Sequence, residues 1–229
     1  MNTTNDVEIM LVGDELLKGE RSDTHLNYLG RVLRRCGVRV GRVQVVGDSV
    51  EAIAEVVAER CAATRMLIVT GGLGPTPDDV TRHGVAKALG LGLEFHEPSW
   101  EAIRRFFAER GKEATDVNRQ QAEFPAGARV LTNSLGTAPG FVVDHADTTV
   151  VVLPGPPPEV RQMVEDDVLT LVRDIFQRGP LRVETFRTIG VGESVMRSLI
   201  GDELDAIEAY AVSSLPSRTG VDVILTEKP

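Results

Sequence analysis

Acidic side chains follow three predicted β-strands, each at the point where the apolar run of the strand ends. Asp14 and Glu15 follow the first run, Asp48 follows the second, and Asp78 and Asp79 follow the third. Carboxylate oxygens are ligands for hard divalent cations, and such a cation can activate water for hydrolysis. The pattern therefore predicts a divalent-metal site at one sheet edge. The alternative is that only some of these carboxylates converge.

A glycine-rich turn joins the third predicted strand to the next helix, in the segment TGGLGPTPDDVT at residues 70–81. Its glycines are Gly71, Gly72 and Gly74. Three glycines in a short turn are tolerated mainly where the backbone bends sharply or approaches a ligand. Free backbone N–H groups and the positive end of a helix suit an anion. We therefore expect a phosphate-binding turn, in which Gly72→Val abolishes phosphate binding and leaves the fold largely intact.

The helix after this turn is predicted to begin at Pro77. Thr76 is a favourable N-cap and Pro77 suits the first helical position. Asp79 follows Thr76 by three residues and completes a T-x-x-D capping box. Such boxes are common at helix starts, so Asp78 and Asp79 have a second interpretation, in which they only cap the helix and offset its dipole.

The order of apolar patterns predicts the fold class. Apolar runs at 7–12, 38–46 and 65–69 are each followed by an amphipathic helical pattern. Short β-loop-α units of this kind predict an α/β fold with a parallel sheet and helices on both faces. Ligands of such sheets bind beyond the carboxyl ends of the strands. A β-hairpin is predicted at 141–153, and the pattern changes after residue 178 to a strand, a helix and two more strands.

Composition excludes several classes of function. The 229-residue chain has a formal net charge of −9, which disfavours nucleic acid or an anionic membrane as a partner. There is no apolar run of about 18 residues, and the first ten residues lack a basic leader, so we predict a cytoplasmic protein. Cys36 and Cys61 have no C-x-x-C spacing and are expected to be buried apolar side chains.

Six motifs, taken in order, resemble one known family. They are GDELLKG (13–19), VGDS (46–49), TGGLGPTPDDVT (70–81), NRQQA (118–122), GTAPGF (136–141) and LPGPPPE (153–159). Over residues 6–176 the chain resembles the N-terminal domain of the CinA family, the competence-damage-inducible proteins. That domain is similar to the molybdopterin-binding domains of the MoaB, MogA and MoeA proteins.

The resemblance implies a three-layer α/β/α domain at 1–178, with a mostly parallel sheet and one antiparallel strand. A small α+β region at 179–229 follows, and the C-terminal deamidase domain of full-length CinA, which acts on nicotinamide mononucleotide, is absent from this sequence. The implied function is a divalent-metal-dependent nucleotide pyrophosphatase acting on ADP-ribose or a related dinucleotide. The alternative is a molybdopterin- or nucleotide-binding module, linked to molybdenum cofactor biosynthesis, that does not hydrolyse its ligand. A homo-oligomer is expected from the family.

The resemblance also implies roles for individual residues. Glu15, Asp48 and Asp79 match the metal and catalytic carboxylates, with Mg²⁺, Mn²⁺ or Co²⁺ as the cation. A nucleotide or pterin phosphate, including molybdopterin, is the expected ligand, and its binding residues are predicted to be Gly71, Gly72, Gly74, Thr76, Asp78, Asn118, Arg119, Gly136, Thr137, Gly155 and Pro156.

The chain departs from the family pattern at two positions. His25 stands where the family often has asparagine, in a D-T-N sequence, and Gln120 stands where a basic residue is usual. A neutral amide cannot replace a cation at a phosphate, so the affinity for substrate, or its identity, stays open. His25 is predicted to lie on a helix surface, with an acid or base role near neutrality as the alternative.

Overall fold

The computed structural model describes residues 6–228. The expectation that the chain has no leader rests partly on residues 1–5, which lie outside this range. Within this range the strands are β1 (Asp6–Val12), β2 (Arg39–Val46), β3 (Met66–Thr70), β4 (Leu93–Phe95), β5 (Glu123–Pro125), β6 (Arg129–Leu131), β7 (Gly140–His145), β8 (Thr148–Leu153), β9 (Val183–Arg187), β10 (Tyr210–Pro216) and β11 (Val221–Glu227). The α-helices in the same range are α1 (Asp14–Leu17), α2 (His25–Arg35), α3 (Val50–Cys61), α4 (Thr81–Leu89), α5 (Glu97–Ala108), α6 (Pro157–Met163), α7 (Leu169–Phe176) and α8 (Glu193–Asp205). A 3-10 helix spans Asp116–Ala122, and a π-helical segment, Val164–Val168, joins α6 to α7.

The central sheet has six strands in the order β2-β1-β3-β8-β7-β6. β1, β2, β3 and β8 pair in parallel, whereas β7 runs antiparallel to both of its neighbours. All five residues of β3 are buried, which explains why its apolar run does not alternate with polar residues. The predicted α/β fold with one antiparallel strand is confirmed, and so is the hairpin, which β7 and β8 form.

Helices cover both faces of this sheet and create two cores. Ile9 and Ile68 point into the layer that contains α2, α6 and α7. Met10 and Leu67, one residue along on each strand, point into the layer that contains α3 and α4. Each fully buried side chain of this size stabilises the fold by about 1.5–3 kcal/mol. The two cores hold the strands in fixed register, so the loops at the carboxyl edge start from fixed positions.

The last fifth of the chain, from β9 onward, forms a second sheet in the order β10-β11-β9, with all pairs antiparallel. α8 packs on it through Met196, which contacts Val221 and Val223. The first of the two strands predicted after the helix was expected at 207–212, whereas β10 begins at Tyr210 and ends at Pro216. β10 is an edge strand, where a proline at the end is tolerated. The division of the chain at residue 178 stays a prediction.

The helix after the glycine turn begins at Thr81, four residues later than predicted. The N–H and the hydroxyl of Thr76 both donate to Oδ2 of Asp79, at 2.8 and 2.6 Å, and the N–H of Asp79 donates to the carbonyl of Thr76. The T-x-x-D pattern therefore closes a separate turn in front of the helix. The N–H of Thr81 donates to the carbonyl of Gly72 at 3.2 Å, so this helix start is attached to the glycine turn.

A search of residues 6–228 for a helix with the length and apolar content needed to cross a membrane finds none.

Candidate functional site

A cavity of about 470 Å³ lies beyond the carboxyl ends of the parallel strands. Val12 and Thr70, the last residues of β1 and β3, line it, and so does Pro154, directly after β8. This is the position that a parallel sheet predicts for a ligand. Its volume is within the range of about 300–1,000 Å³ that small-molecule sites occupy. We refer to it as the carboxyl-edge cavity.

Four of the five predicted carboxylates line the carboxyl-edge cavity, and only that of Asp14 does not. The acidic residues that line it are Glu15, Asp23, Asp48, Asp78, Asp79 and Glu159. The predicted ligand-binding residues that line it are Gly71, Gly72, Gly74, Asp78, Thr137, Gly155 and Pro156. The geometry thus places the acids after β1, β2 and β3 around one space, together with the glycine turn.

A reciprocal pair of hydrogen bonds joins the loops after β1 and β2. The N–H of Asp14 donates to Oδ2 of Asp48 at 2.9 Å, and the N–H of Asp48 donates to Oδ1 of Asp14 at 3.2 Å. The hydrogen bond from Lys18 lowers the pKa of Asp14, whereas burial raises the pKa of Asp48. Asp14 is therefore a structural partner that orients Asp48. The charge of Asp48 is disfavoured by its surroundings, so it would be stabilised by a nearby cation.

The donor atoms in this cavity fit a hard cation. Among residues 6–228, no group of three or more His, Cys, Asp or Glu side chains is arranged to hold a metal ion. Mg²⁺, however, is usually bound by one or two carboxylates together with water and substrate phosphates. Glu15 has the carboxylate most available for this role, because it makes no hydrogen bond or ion pair with the described part of the chain. The residues fit a cation that binds together with a phosphate ligand.

Two glycines of the turn, Gly71 and Gly72, are required by the backbone itself. Gly71 has φ of +100° and Gly72 has φ of +63°, a region that other residues rarely adopt. A Cβ atom at Gly71 would overlap the carbonyl oxygen of Val12, and one at Gly72 would overlap the hydroxyl of the buried Thr81. The expectation that Gly72→Val leaves the fold largely intact is therefore wrong.

Three consecutive N–H groups in the turn are free of bonds to the described chain. They belong to Gly72, Leu73 and Gly74, all of which line the carboxyl-edge cavity. The N–H groups on either side are used within the fold: that of Gly71 donates to Leu153 at 3.0 Å, and that of Thr76 donates to Asp79. The N–H groups of the turn that can bind an anion are thus those of Gly72, Leu73 and Gly74.

Two predicted ligand-binding residues, Asn118 and Arg119, lie on the 3-10 helix outside the carboxyl-edge cavity. The Asn118 side chain is buried and its Oδ1 accepts hydrogen bonds from the N–H and hydroxyl of Thr115. The guanidinium of Arg119 lies over the rings of Phe95 and Trp100, 4.5 and 5.4 Å from their centroids. A 3-10 helix has three residues per turn, so the side chains of consecutive residues such as Asn118 and Arg119 point in different directions.

Thr76 and Gly136 are also outside the carboxyl-edge cavity. Thr76 is exposed, and its hydrogen bonds to Asp79 close the turn described above. Gly136 lines a second cavity instead.

Gln120 and Gln121 have different roles in the structure. Gln120 donates from Nε2 to the carbonyls of Gly74 and Thr76, at 3.3 and 3.0 Å, so it holds the glycine turn in place. Gln121, which the sequence interpretation missed, is buried, lines the carboxyl-edge cavity and donates to the hydroxyl of Thr137 at 3.1 Å. A neutral amide at position 120 therefore acts on the turn itself.

His25 lines the carboxyl-edge cavity, which corrects its prediction as a helix-surface residue. Asp23 fixes this end of α2 by accepting the N–H groups of His25 and Leu26, at 3.0 and 2.9 Å. Burial lowers the pKa of His25, and its Nδ1 is buried without a partner. The lowered pKa favours the neutral imidazole at pH 7.

Glu159→Gln is expected to raise the melting temperature at neutral pH. The Glu159 carboxylate accepts a hydrogen bond from Asn133 at 2.7 Å, yet burial raises its pKa above the ordinary 4.5. The folded state then binds the proton more tightly than the unfolded state, so ionised Glu159 destabilises the fold above its folded-state pKa. The gain from glutamine should shrink as the pH falls through that pKa, and should vanish below the ordinary value.

Thermal melts from about pH 4 to pH 8 check this prediction, with the exposed Glu113→Gln as the matched control. A Glu159→Gln variant that is less stable than the parent at pH 7, or equally stable at every pH, would contradict it.

Comparison of sequences finds one matching family over most of the chain. The family described as "Probable molybdopterin binding domain" matches residues 8–174. A curated relative from Desulforamulus reducens is 43% identical over 220 residues, which cover 96% of this chain and 53% of the relative. A CinA-like protein from Akkermansia muciniphila is 38% identical over 221 residues, which cover 96% of this chain and 53% of that protein. The chain thus spans about half the length of these curated relatives.

The comparison with solved structures agrees with the comparison of sequences. A solved structure described as the protein CinA with unknown function, from Thermoplasma acidophilum, is 29% identical and has a TM-score of 0.67. The likeness covers 74% of this chain and 98% of that chain. A molybdopterin biosynthesis protein from Mycobacterium abscessus is 20% identical, with a TM-score of 0.50 over 75% of this chain and 94% of that one, which shows a similar fold.

Proposed function

This chain belongs to the family of molybdopterin-binding domains and, within it, to the CinA-like proteins, and from that membership we propose that it is a divalent-metal-dependent nucleotide pyrophosphatase. The substrate class is ADP-ribose or a related dinucleotide. The observation that supports the proposal is the carboxyl-edge cavity, where carboxylates from three loops and three free N–H groups line one space.

The chain's own residues supply the binding of a diphosphate. The N–H groups of Gly72, Leu73 and Gly74 donate to phosphate oxygens and stabilise the negative charge that develops there during hydrolysis. Glu15 and Asp48 would hold the cation, and Asp79 lines the same cavity. When bound, a divalent cation offsets the repulsion among these acids and lowers the pKa of a water molecule from 15.7 toward about 7.

The second candidate is a binding module for molybdopterin or a nucleotide that does not hydrolyse its ligand. It uses the same N–H groups and the same cavity, and the family description favours it. A homo-oligomeric state and a cytoplasmic location stay predictions under either candidate.

Release of AMP from ADP-ribose separates the two candidates. The purified protein is incubated with ADP-ribose and Mg²⁺, Mn²⁺ or Co²⁺, with a chelator as the control, and AMP is measured by chromatography. The pyrophosphatase should release AMP and ribose 5-phosphate only when a cation is present. Absence of turnover with every cation, together with tight binding of molybdopterin, would support the binding module instead.

A further inference from the structure

A second cavity of about 240 Å³ lies next to the carboxyl-edge cavity. It is formed between α5 and the residues that follow β6, and Thr137 lines both cavities. Its composition differs from that of its neighbour, because none of its lining residues is an acid. The residues that line it on the apolar side are Pro98, Ala102, Ile103, Phe106, Val130 and Pro139.

Polar groups complete the lining of this second cavity and are held in place by the fold. Nδ1 of His96 and the hydroxyl of Ser99 are hydrogen-bonded at 2.8 Å, and the imidazole packs edge-on against Phe124 with centroids 5.9 Å apart. Asn133 accepts the N–H of Gly136 at 2.8 Å, which fixes the loop between the two cavities. The second cavity is therefore formed before any ligand binds.

We propose that the second cavity binds the planar nitrogen heterocycle of a ligand whose phosphates occupy the carboxyl-edge cavity. This inference rests on the proposed function and names where the ring of the substrate lies. An aromatic ring stacks on apolar and aromatic side chains, while its ring nitrogens and exocyclic groups form hydrogen bonds at the edge. The second cavity offers both kinds of surface, whereas the neighbouring one is dominated by carboxylates suited to a cation. Purines and pterins share this chemistry, so both are tested.

Filling the second cavity should weaken the binding of ring-bearing ligands alone. Ala102 is exposed on α5 and lines the cavity, so Ala102→Leu adds bulk there without entering the core. Ala108→Leu, on the same helix and also exposed but not lining the cavity, is the matched control. Phe106→Leu is a second variant, because it removes the aromatic wall and keeps an apolar side chain.

The probes are inorganic pyrophosphate, AMP and neopterin monophosphate, each titrated by calorimetry in the presence of Mn²⁺. Ala102→Leu and Phe106→Leu should bind AMP or neopterin monophosphate about 5- to 150-fold more weakly than the parent, the range of one lost base-stacking contact. Both should bind pyrophosphate as the parent does, and Ala108→Leu should match the parent for all three probes. A larger loss for AMP identifies a purine as the ring, and a larger loss for neopterin monophosphate identifies a pterin.

One result would contradict the inference about the second cavity, and another would contradict the proposed function. If the parent binds pyrophosphate, but both variants at this cavity bind the ring-bearing probes as tightly as the parent, the inference is wrong and the proposed function stands. If the parent does not bind pyrophosphate in the presence of Mn²⁺, or in a repeat with Mg²⁺ or Co²⁺, the proposed function itself is wrong. Melting temperatures of all variants show whether a loss of binding comes from unfolding. If Ala102→Leu is unfolded, the binding measured for Phe106→Leu decides whether the inference holds.

Discussion

Glu15→Gln is expected to reduce metal-dependent release of AMP by at least about 100-fold. Mutation of a residue that only hydrogen-bonds to a metal ligand costs up to about 100-fold, and removal of a ligand itself should cost at least as much. The glutamine keeps the size of the side chain and removes the negative charge that holds the cation. Because the Glu15 carboxylate makes no hydrogen bond with the described part of the chain, the change should not disturb the fold. The measurement is the initial rate of AMP release at saturating ADP-ribose, over a range of Mn²⁺ concentrations.

Glu20→Gln is the matched control, since Glu20 is exposed in the same loop region and does not line the carboxyl-edge cavity. It should retain the activity of the parent. If the Glu15 variant retains parental activity at low Mn²⁺ as well as at high Mn²⁺, Glu15 does not bind the cation.

Gly72→Ala is expected to lower the free energy of unfolding by about 2–5 kcal/mol. A side chain in the left-handed region adds about 1–2 kcal/mol, and overlap in a packed region adds about 1–3 kcal/mol. Both apply at Gly72, where φ is +63° and the new methyl group meets Thr81. Urea unfolding followed by circular dichroism measures the change.

Gly90→Ala separates the two contributions. Gly90 has φ of +66°, yet no atom lies within 4 Å of an added Cβ. This variant should lose only the backbone contribution of about 1–2 kcal/mol. Equal losses at Gly72 and Gly90 would contradict this prediction, because they would show that the glycine turn has room for a side chain at position 72.

Much of the fold could be predicted from the sequence, because a strand that is buried on both faces of the sheet is apolar at consecutive positions. β3 is buried throughout and apolar from Met66 to Val69, as the apolar run at 65–69 predicts. The start of α4 could not be predicted in the same way. The hydrogen bonds between Thr76 and Asp79 are those of a capping box, and the sequence does not show whether such a box opens a helix or closes a turn before it.

The carboxylates of the site were predictable for a topological reason. The ends of parallel neighbouring strands lie at one edge of the sheet, so the loops that carry Glu15, Asp48 and Asp79 line the same cavity. His25 and Arg119 were not predictable, because their directions depend on how a helix start and a 3-10 helix rotate against the sheet. His25 turns into the cavity, and Arg119 turns onto aromatic rings.

The most direct test is the location of Mn²⁺ in crystals grown with the cation and a non-hydrolysable ADP-ribose analogue, using anomalous scattering. We predict an anomalous peak in the carboxyl-edge cavity, within bonding distance of Glu15 or Asp48 and of a phosphate oxygen. The phosphates should accept hydrogen bonds from Gly72, Leu73 and Gly74. A diphosphate bound there with no Mn²⁺ beside it, or Mn²⁺ bound only elsewhere, would contradict the proposal that this cavity brings a cation and a diphosphate together.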